Sequence, residues 1–329
     1  MMNTLIQAFP AQLVEALDLG ANATINPPSN TINLVYVAGM GGSGIGANFV
    51  AEFIKNECSV PYLIGKGYGV PSYINENTLF IASSYSGNTE ETLSALDLAS
   101  KTEAKIVCIA SGGKIIDKAV KNGWDYIKLP GGSPSPRACL GYSLVQQLHI
   151  LNKVGLIGDQ LLKNVKSASD LIKYDQEEIM NKAEKVAQIL HGKMPIIYTT
   201  DRMEAVAVRL RQQLNENSKI LCWHHVIPEM NHNELVGWKD NHPNIAVIYF
   251  RNRDDYYKNA LRIDINKEII GKNCSTIIEI YSKGQSLIEK AIYFVHLGDW
   301  ISWYLSDLRN VDAIEIEVID YLKSELGKD

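Results

Sequence analysis

The sequence has few of the features that would place it in a specialised class. Its five cysteines, Cys58, Cys108, Cys139, Cys222 and Cys274, are odd in number and widely spaced, with no Cys-x-x-Cys pair. That pattern argues against a disulfide framework and against a cysteine-based zinc site. The seven histidines do not cluster into a ligand set. No uncharged apolar run approaches the roughly 20 residues needed to span a bilayer, and the N-terminus lacks a basic stretch followed by an apolar one. A net charge of −5 provides no chain-wide field to attract nucleic acid or anionic membrane. These absences predict a cytoplasmic protein with no membrane or nucleic-acid partner, in which any anion site is local.

What is present is ordinary globular composition over 329 residues, enough for two domains of about 150 residues each. After an amphipathic start (Leu5, Ala8, Leu13, Val14, Leu17), short β-rich runs alternate with helical ones. Strands are predicted at 32–38, 60–64, 78–83, 105–110 and 126–129, with helices at 90–100 and 115–121. A Gly- and Pro-rich break at 130–136 precedes a helical run at 137–154, where the first domain closes. A long polar helix-like stretch at 159–190 opens a second round, with strands at 195–199, 219–225, 245–250 and 276–281. Helices are predicted at 204–215 and through Trp300. Such alternation implies an α/β chain with a doubly wound parallel sheet in each half, residues 1–153 and 154–329. The residues do not repeat between halves, but the order of elements does.

Two loops carry the chemistry. Gly39-Met40-Gly41-Gly42-Ser43-Gly44 satisfies the glycine pattern of dinucleotide folds, placed between a strand and a helix where amides and the helix dipole favour an anion. The acidic partner expected about 20 residues on is missing, because the second strand runs into Gly65-Lys66. In Ser84-Tyr85-Ser86-Gly87-Asn88-Thr89, three hydroxyls surround a glycine where a strand gives way to a helix, suiting a phosphate's oxygens. The plainer alternative is helix capping by Asn88 or Thr89.

The pair GMGGSG and SYSGNTEET resembles the sugar isomerase (SIS) domain, whose serine loop binds phosphosugars. Further segments, SPSPRA at 133–138, QLNENSK at 213–219, PEMNHNE at 228–234 and VIDYLK at 318–323, resemble the bifunctional phosphoglucose/phosphomannose isomerases over nearly the full chain. The resemblance implies two SIS domains, no cofactor and no metal. It also implies a reversible aldose–ketose isomerisation linking glucose 6-phosphate, and mannose 6-phosphate, to fructose 6-phosphate.

On that resemblance Gly42, Ser43, Ser84, Ser86 and Thr89 hold the phosphate. Glu216, between two asparagines after the helix at 204–215, is the base, and Arg137 stabilises the enediolate. His232 opens the sugar ring from the partner subunit of a homodimer, and Lys323 joins ring opening or substrate binding. Spacing alone makes Lys323 a solvent-facing lysine. Glu229 and Glu234 are assigned to structure or orientation, and His224 and His225 to a strand. His296 is expected to be a core histidine, in an aromatic helix expected at a domain or subunit interface. Two alternatives stay open: an isomerase of another phosphosugar such as glucosamine 6-phosphate, and a non-catalytic phosphosugar-binding regulator.

Overall fold

The computed structural model describes residues 1–328, and the chain divides into two compact units. The N-terminal unit comprises Ala8–Lys173 with Gly284–Glu289; the C-terminal unit comprises Met1–Gln7, Tyr174–Lys283 and the chain from Lys290 on. In chain order the first elements are α1 (Met2–Gln7), α2 (Phe9–Asn22), β1 (Leu34–Ala38), α3 (Gly41–Ile54) and β2 (Tyr62–Gly65). They are followed by β3 (Thr78–Ser83), α4 (Glu90–Ala99), β4 (Lys105–Ala110), α5 (Gly113–Asn122), β5 (Asp125–Lys128) and α6 (Leu140–Lys153). Next come α7 (Gln160–Tyr174), α8 (Gln176–Leu190), β6 (Met194–Thr200), α9 (Glu204–Glu216), β7 (Trp223–Ile227) and β8 (Ile245–Arg251). The chain finishes with α10 (Tyr257–Ile270), β9 (Ile277–Tyr281), α11 (Leu287–Leu308) and α12 (Glu317–Leu326).

The N-terminal sheet is wholly parallel with strand order β2-β1-β3-β4-β5. Its central strand β3 is buried at every position, as expected where helices cover both faces of a parallel sheet. At the edge, β5 alternates buried and exposed residues instead. Parallel strands place every β-to-α turn on one edge, so the Gly39–Gly44 turn after β1 and the serine loop after β3 lie side by side.

The C-terminal sheet, β7-β6-β8-β9, is again parallel and repeats the order of the first four strands of its counterpart. The anticipated recurrence of elements is therefore real, with β6, β7, β8 and β9 standing in the places of β1 to β4. The polar stretch at 159–190 is two helices separated at Asp175 rather than one. Strand β7 starts at Trp223, later than expected, because the chain before it turns at Lys219 with a positive φ of 55°. From Lys290 on, α11 is part of the core of the C-terminal unit: Tyr293, Phe294 and Trp300 are buried, and Phe294 packs on Phe250 of β8 at 4.5 Å between ring centroids.

Candidate active site

In the N-terminal unit the serine loop is built around Gly87, whose φ is +70°. A Cβ there would stand 1.8 Å from the Gly112 carbonyl oxygen, so no other residue fits without moving the chain. The loop is tied to β4 by Ser84 N–H donating to the Ile109 carbonyl at 3.0 Å and by Ser111 Oγ donating to the Tyr85 carbonyl at 2.7 Å. The Tyr85 hydroxyl donates to the Pro130 carbonyl at 2.9 Å and accepts from Ser133 N–H at 3.2 Å, joining the loop to the segment that leads to Arg137.

Thr89 occupies the N-cap position of α4, yet its side chain caps nothing. Its hydroxyl turns into the loop and lies 2.8 Å from Ser84 Oγ, while Gly87 N–H also donates to Ser84 Oγ at 3.2 Å. The capping alternative for Thr89 therefore fails, and its hydroxyl meets that of Ser84 within the loop. Ser86 is exposed and accepts from Asn88 N–H at 3.2 Å.

The N-cap of α3 is Met40, whose side chain caps no amide, and the helix carries no carboxylate in its first turn. Its N-terminal amides and dipole are thus suited to an anion. Ser43 is buried, and its carbonyl accepts from Ser143 Oγ at 3.3 Å. Lys66, at the end of β2, adds a cation: its Nζ donates to Asn48 Oδ1 on α3 at 2.6 Å, and its Cε lies 3.4 Å from where a Cβ on Gly44 would be. Sequence reading passed over Lys66, noting it only as the place where a carboxylate was missing.

Arg137 is 6% exposed and sits in the 3-10 turn Pro136–Cys139. A Cβ on Gly42 would lie 3.6 Å from Arg137 Cα, so the glycine turn and the arginine segment are neighbours. The Ser135 hydroxyl beside it is buried with no protein partner.

In the C-terminal unit Glu216 is the last residue of α9, not part of a following turn. The chain just beyond it is fixed from several directions. Asn217 Nδ2 donates to Ser302 Oγ at 2.9 Å, Ser218 Oγ to the Ser302 carbonyl at 2.7 Å, and Arg309 Nε to the Ser218 carbonyl at 2.8 Å. One helical turn before Gln213, Arg209 forms a two-bond ion pair with Asp299 of α11, at 3.1 and 2.9 Å, both side chains being under 8% exposed. These polar anchors escaped sequence reading because their partners lie far apart in the chain; the polar run Asn215-Glu216-Asn217-Ser218 was the only local trace.

Glu216 lines a cavity of about 350 Å³ together with Lys219, Ile220, Leu221 and the start of the C-terminal segment at Glu315, Ile316, Val318 and Ile319. Lys323 does not line it: it is exposed, one turn beyond Ile319 on α12, 4.0 Å from Asp320. His232 is exposed, on the 3-10 turn Glu229–His232 that follows β7. Glu216 precedes β7 and His232 follows it, and the strand's five residues span about 15 Å. Within one unit, then, the two are kept at opposite ends of a strand.

His224 and His225 lie in β7, and burial, with help from Arg211, lowers the pKa of His224. His296 is fully buried and accepts a hydrogen bond from Trp300 Nε1 at 3.3 Å; burial lowers its pKa to about 3. Among the described residues, no three His, Cys, Asp or Glu side chains converge as a metal site, and no helix is long and apolar enough to cross a membrane.

Two family descriptions match the chain: the SIS domain over residues 32–123 and the bacterial phospho-glucose isomerase C-terminal SIS domain over residues 179–326. Solved structures share the fold at low identity. The C-terminal domain of glucosamine-fructose-6-phosphate aminotransferase from Francisella tularensis superposes with a TM-score of 0.76 at 13% identity, covering 95% of this chain and 97% of that one. Tagatose-6-phosphate ketose/aldose isomerase from Escherichia coli gives 0.72 at 13% identity, covering 96% and 95%. Fold and loops together define a double SIS-domain protein.

Among curated relatives, the bifunctional phosphoglucose/phosphomannose isomerase of Caldicellulosiruptor bescii is 38% identical over 330 aligned positions, 97% of each chain. That of Aquifex aeolicus is 33% identical over 297, covering 89% of this chain and 90% of its own. The chain belongs to the bifunctional phosphoglucose/phosphomannose isomerase family. A D-glucosamine-6-phosphate 4-epimerase from Sulfolobus acidocaldarius is also similar, at 28% identity over 90% of each chain.

Proposed function

We propose that this chain reversibly isomerises glucose 6-phosphate and mannose 6-phosphate to fructose 6-phosphate. The observation that carries the reading is the serine loop, where Thr89 forgoes helix capping to place its hydroxyl on Ser84. Membership in the isomerase family gives that phosphate grip its reaction. Ser84, Ser86, Thr89 and the Gly42-Ser43 amides hold the phosphate, and Lys66 adds positive charge beside the turn. Arg137 faces the charge that develops on the enediolate oxygen.

Glu216 removes the proton beside the carbonyl and returns it to the adjacent carbon through a cis-enediol. A carboxylate at the end of a helix pinned by Ser302 and Arg309 has the fixed position such a transfer needs. His232 exchanges the proton that opens the sugar ring. Its separation from Glu216 by the length of β7 supports its delivery from a second copy of the chain, in a homodimer. Lys323 is kept as a ring-opening or substrate-binding group on the strength of the family resemblance alone. The five cysteines are free thiols, as suits a reducing cytoplasm.

A panel of hexose 6-phosphates offered to chelator-treated protein tests the assignment. Fructose 6-phosphate should form from both the glucose and the mannose epimer. Turnover of an amino sugar with neither of these would favour the chemistry for which the Sulfolobus relative is named. Binding without turnover of any of them would make the protein a phosphosugar-binding regulator.

A further inference from the structure

We propose that Glu234 is a positioning residue for His232, its carboxylate clamped between Tyr198 and Trp223 so that the turn carrying the imidazole has one orientation. The inference rests on the ring-opening role given to His232 above.

The turn is gripped on both sides of His232. Before it, Met230 is fully buried in the core of the unit, and Asn231 Nδ2 donates to Oδ1 of the buried Asn266 at 2.7 Å. After it, Glu234 Oε1 accepts two hydrogen bonds, one from the Tyr198 hydroxyl and one from Trp223 Nε1 at 3.2 Å. Tyr198 in turn accepts from Trp238 Nε1 at 3.1 Å. The result is a directed chain, Trp238 to Tyr198 to Glu234, with Trp223 closing it from β7.

The direction is set by chemistry: Trp238 can only donate, so Tyr198 accepts from it and spends its own proton on the carboxylate. Burial, with Glu234 next in effect, pushes the Tyr198 pKa well up, so the phenol keeps that proton across the working range. Asn233 completes the turn, its Oδ1 accepting from Glu234 N–H at 2.6 Å and its Nδ2 donating to Glu229 at 2.9 Å. Apolar packing could hold this segment to the sheet, but only directional bonds on both flanks fix the rotation of the exposed residue between them. Glu234 is two residues from His232 and touches β6 and β7 at once, so losing its carboxylate frees the turn on one side.

The test isolates ring opening from proton transfer at carbon. Glu216→Gln protein, lacking the carbon base, is incubated with fructose 6-phosphate, and catalysed exchange between its anomers is followed by NMR saturation transfer. The Glu216→Gln protein should exchange the anomers, and adding His232→Ala should abolish catalysis. Adding Tyr198→Phe, which removes one charge-assisted hydrogen bond, or Glu234→Ala, which removes two, should each lower exchange at least about tenfold with sugar affinity unchanged. Glu234→Gln keeps an oxygen acceptor for both donors and should restore exchange to within about threefold.

Retained exchange in the Tyr198→Phe and Glu234→Ala proteins, with loss in His232→Ala, overturns the positioning role and leaves the ring-opening reading standing. Retained exchange in His232→Ala overturns the ring-opening reading itself. Loss of exchange in Glu216→Gln alone overturns the division of labour between the two residues. Tyr198→Phe removes one hydroxyl from a core that keeps its ring, so it decides the question even where Glu234→Ala fails to fold.

Discussion

The hydroxyls of Ser84 and Thr89 lie 2.8 Å apart across the loop that ends β3. Each hydroxyl fixes the rotation of the other. Ser84→Ala and Thr89→Val should each weaken binding of hexose 6-phosphate by about 1.5–3 kcal/mol, roughly 10- to 150-fold, as expected for a hydrogen bond to a charged group. Isothermal titration with fructose 6-phosphate checks this, and the same substitutions should leave the affinity for unphosphorylated fructose unchanged.

Gly87→Ala should be more damaging than either. The new methyl meets the Gly112 carbonyl oxygen at 1.8 Å and the backbone sits at φ +70°, so the loop must move as a whole. Phosphosugar affinity should fall at least about a hundredfold while the unfolding midpoint drops modestly, since the strain of about 1–2 kcal/mol is local. Binding and denaturation measured on one preparation separate the two effects.

The buried Arg209–Asp299 pair joins α9 to α11. Arg209→Met strands an unpaired carboxylate in the core and should cost about 3–5 kcal/mol in urea unfolding. The double variant Arg209→Met, Asp299→Leu should recover most of that loss, because two apolar side chains of similar size leave no buried charge.

Acid should destabilise the fold through buried histidines. Burial, reinforced by Lys153, lowers His149 from 6.5 to about 4, a bond to the Leu17 backbone working the other way. The folded state thus resists protonation that the unfolded chain accepts near pH 6.5. The stabilisation is present above that value and is lost as pH falls toward 4, amounting to on the order of 3 kcal/mol. His149→Leu should flatten the decline in urea midpoint between pH 6.5 and 4.

Much of this was legible from the sequence where the causes are local. β3 and β4 were placed to the residue, since uninterrupted buried runs such as Leu79-Phe80-Ile81-Ala82 are bounded by turn residues. The serine loop was legible because one hexapeptide contains its hydroxyls, its glycine and its helix start. α10 was missed because its isoleucines and leucine, Leu261, Ile263, Ile265, Ile269 and Ile270, do not fall on one stripe, and only Ile263, Asn266 and Ile270 are buried. The anchoring of Asn217 and Ser218, just after Glu216, by Ser302 and of Glu234 by Tyr198 joins residues 36 to 85 positions apart that no periodicity links. Polar contacts between distant elements leave no pattern until the sheet order brings them together.

The central claim is that Glu216 moves the proton between C1 and C2. Its most direct test is to follow fructose 6-phosphate in deuterium oxide by NMR with wild-type and Glu216→Gln protein. The wild type should yield glucose 6-phosphate and mannose 6-phosphate carrying deuterium at C2 in those turnovers in which the proton held by Glu216 exchanges with solvent before its return. Glu216→Gln should lower that incorporation at least about a hundredfold, with fructose 6-phosphate affinity within threefold of wild type. Incorporation within threefold of wild type in the Glu216→Gln protein would contradict the account.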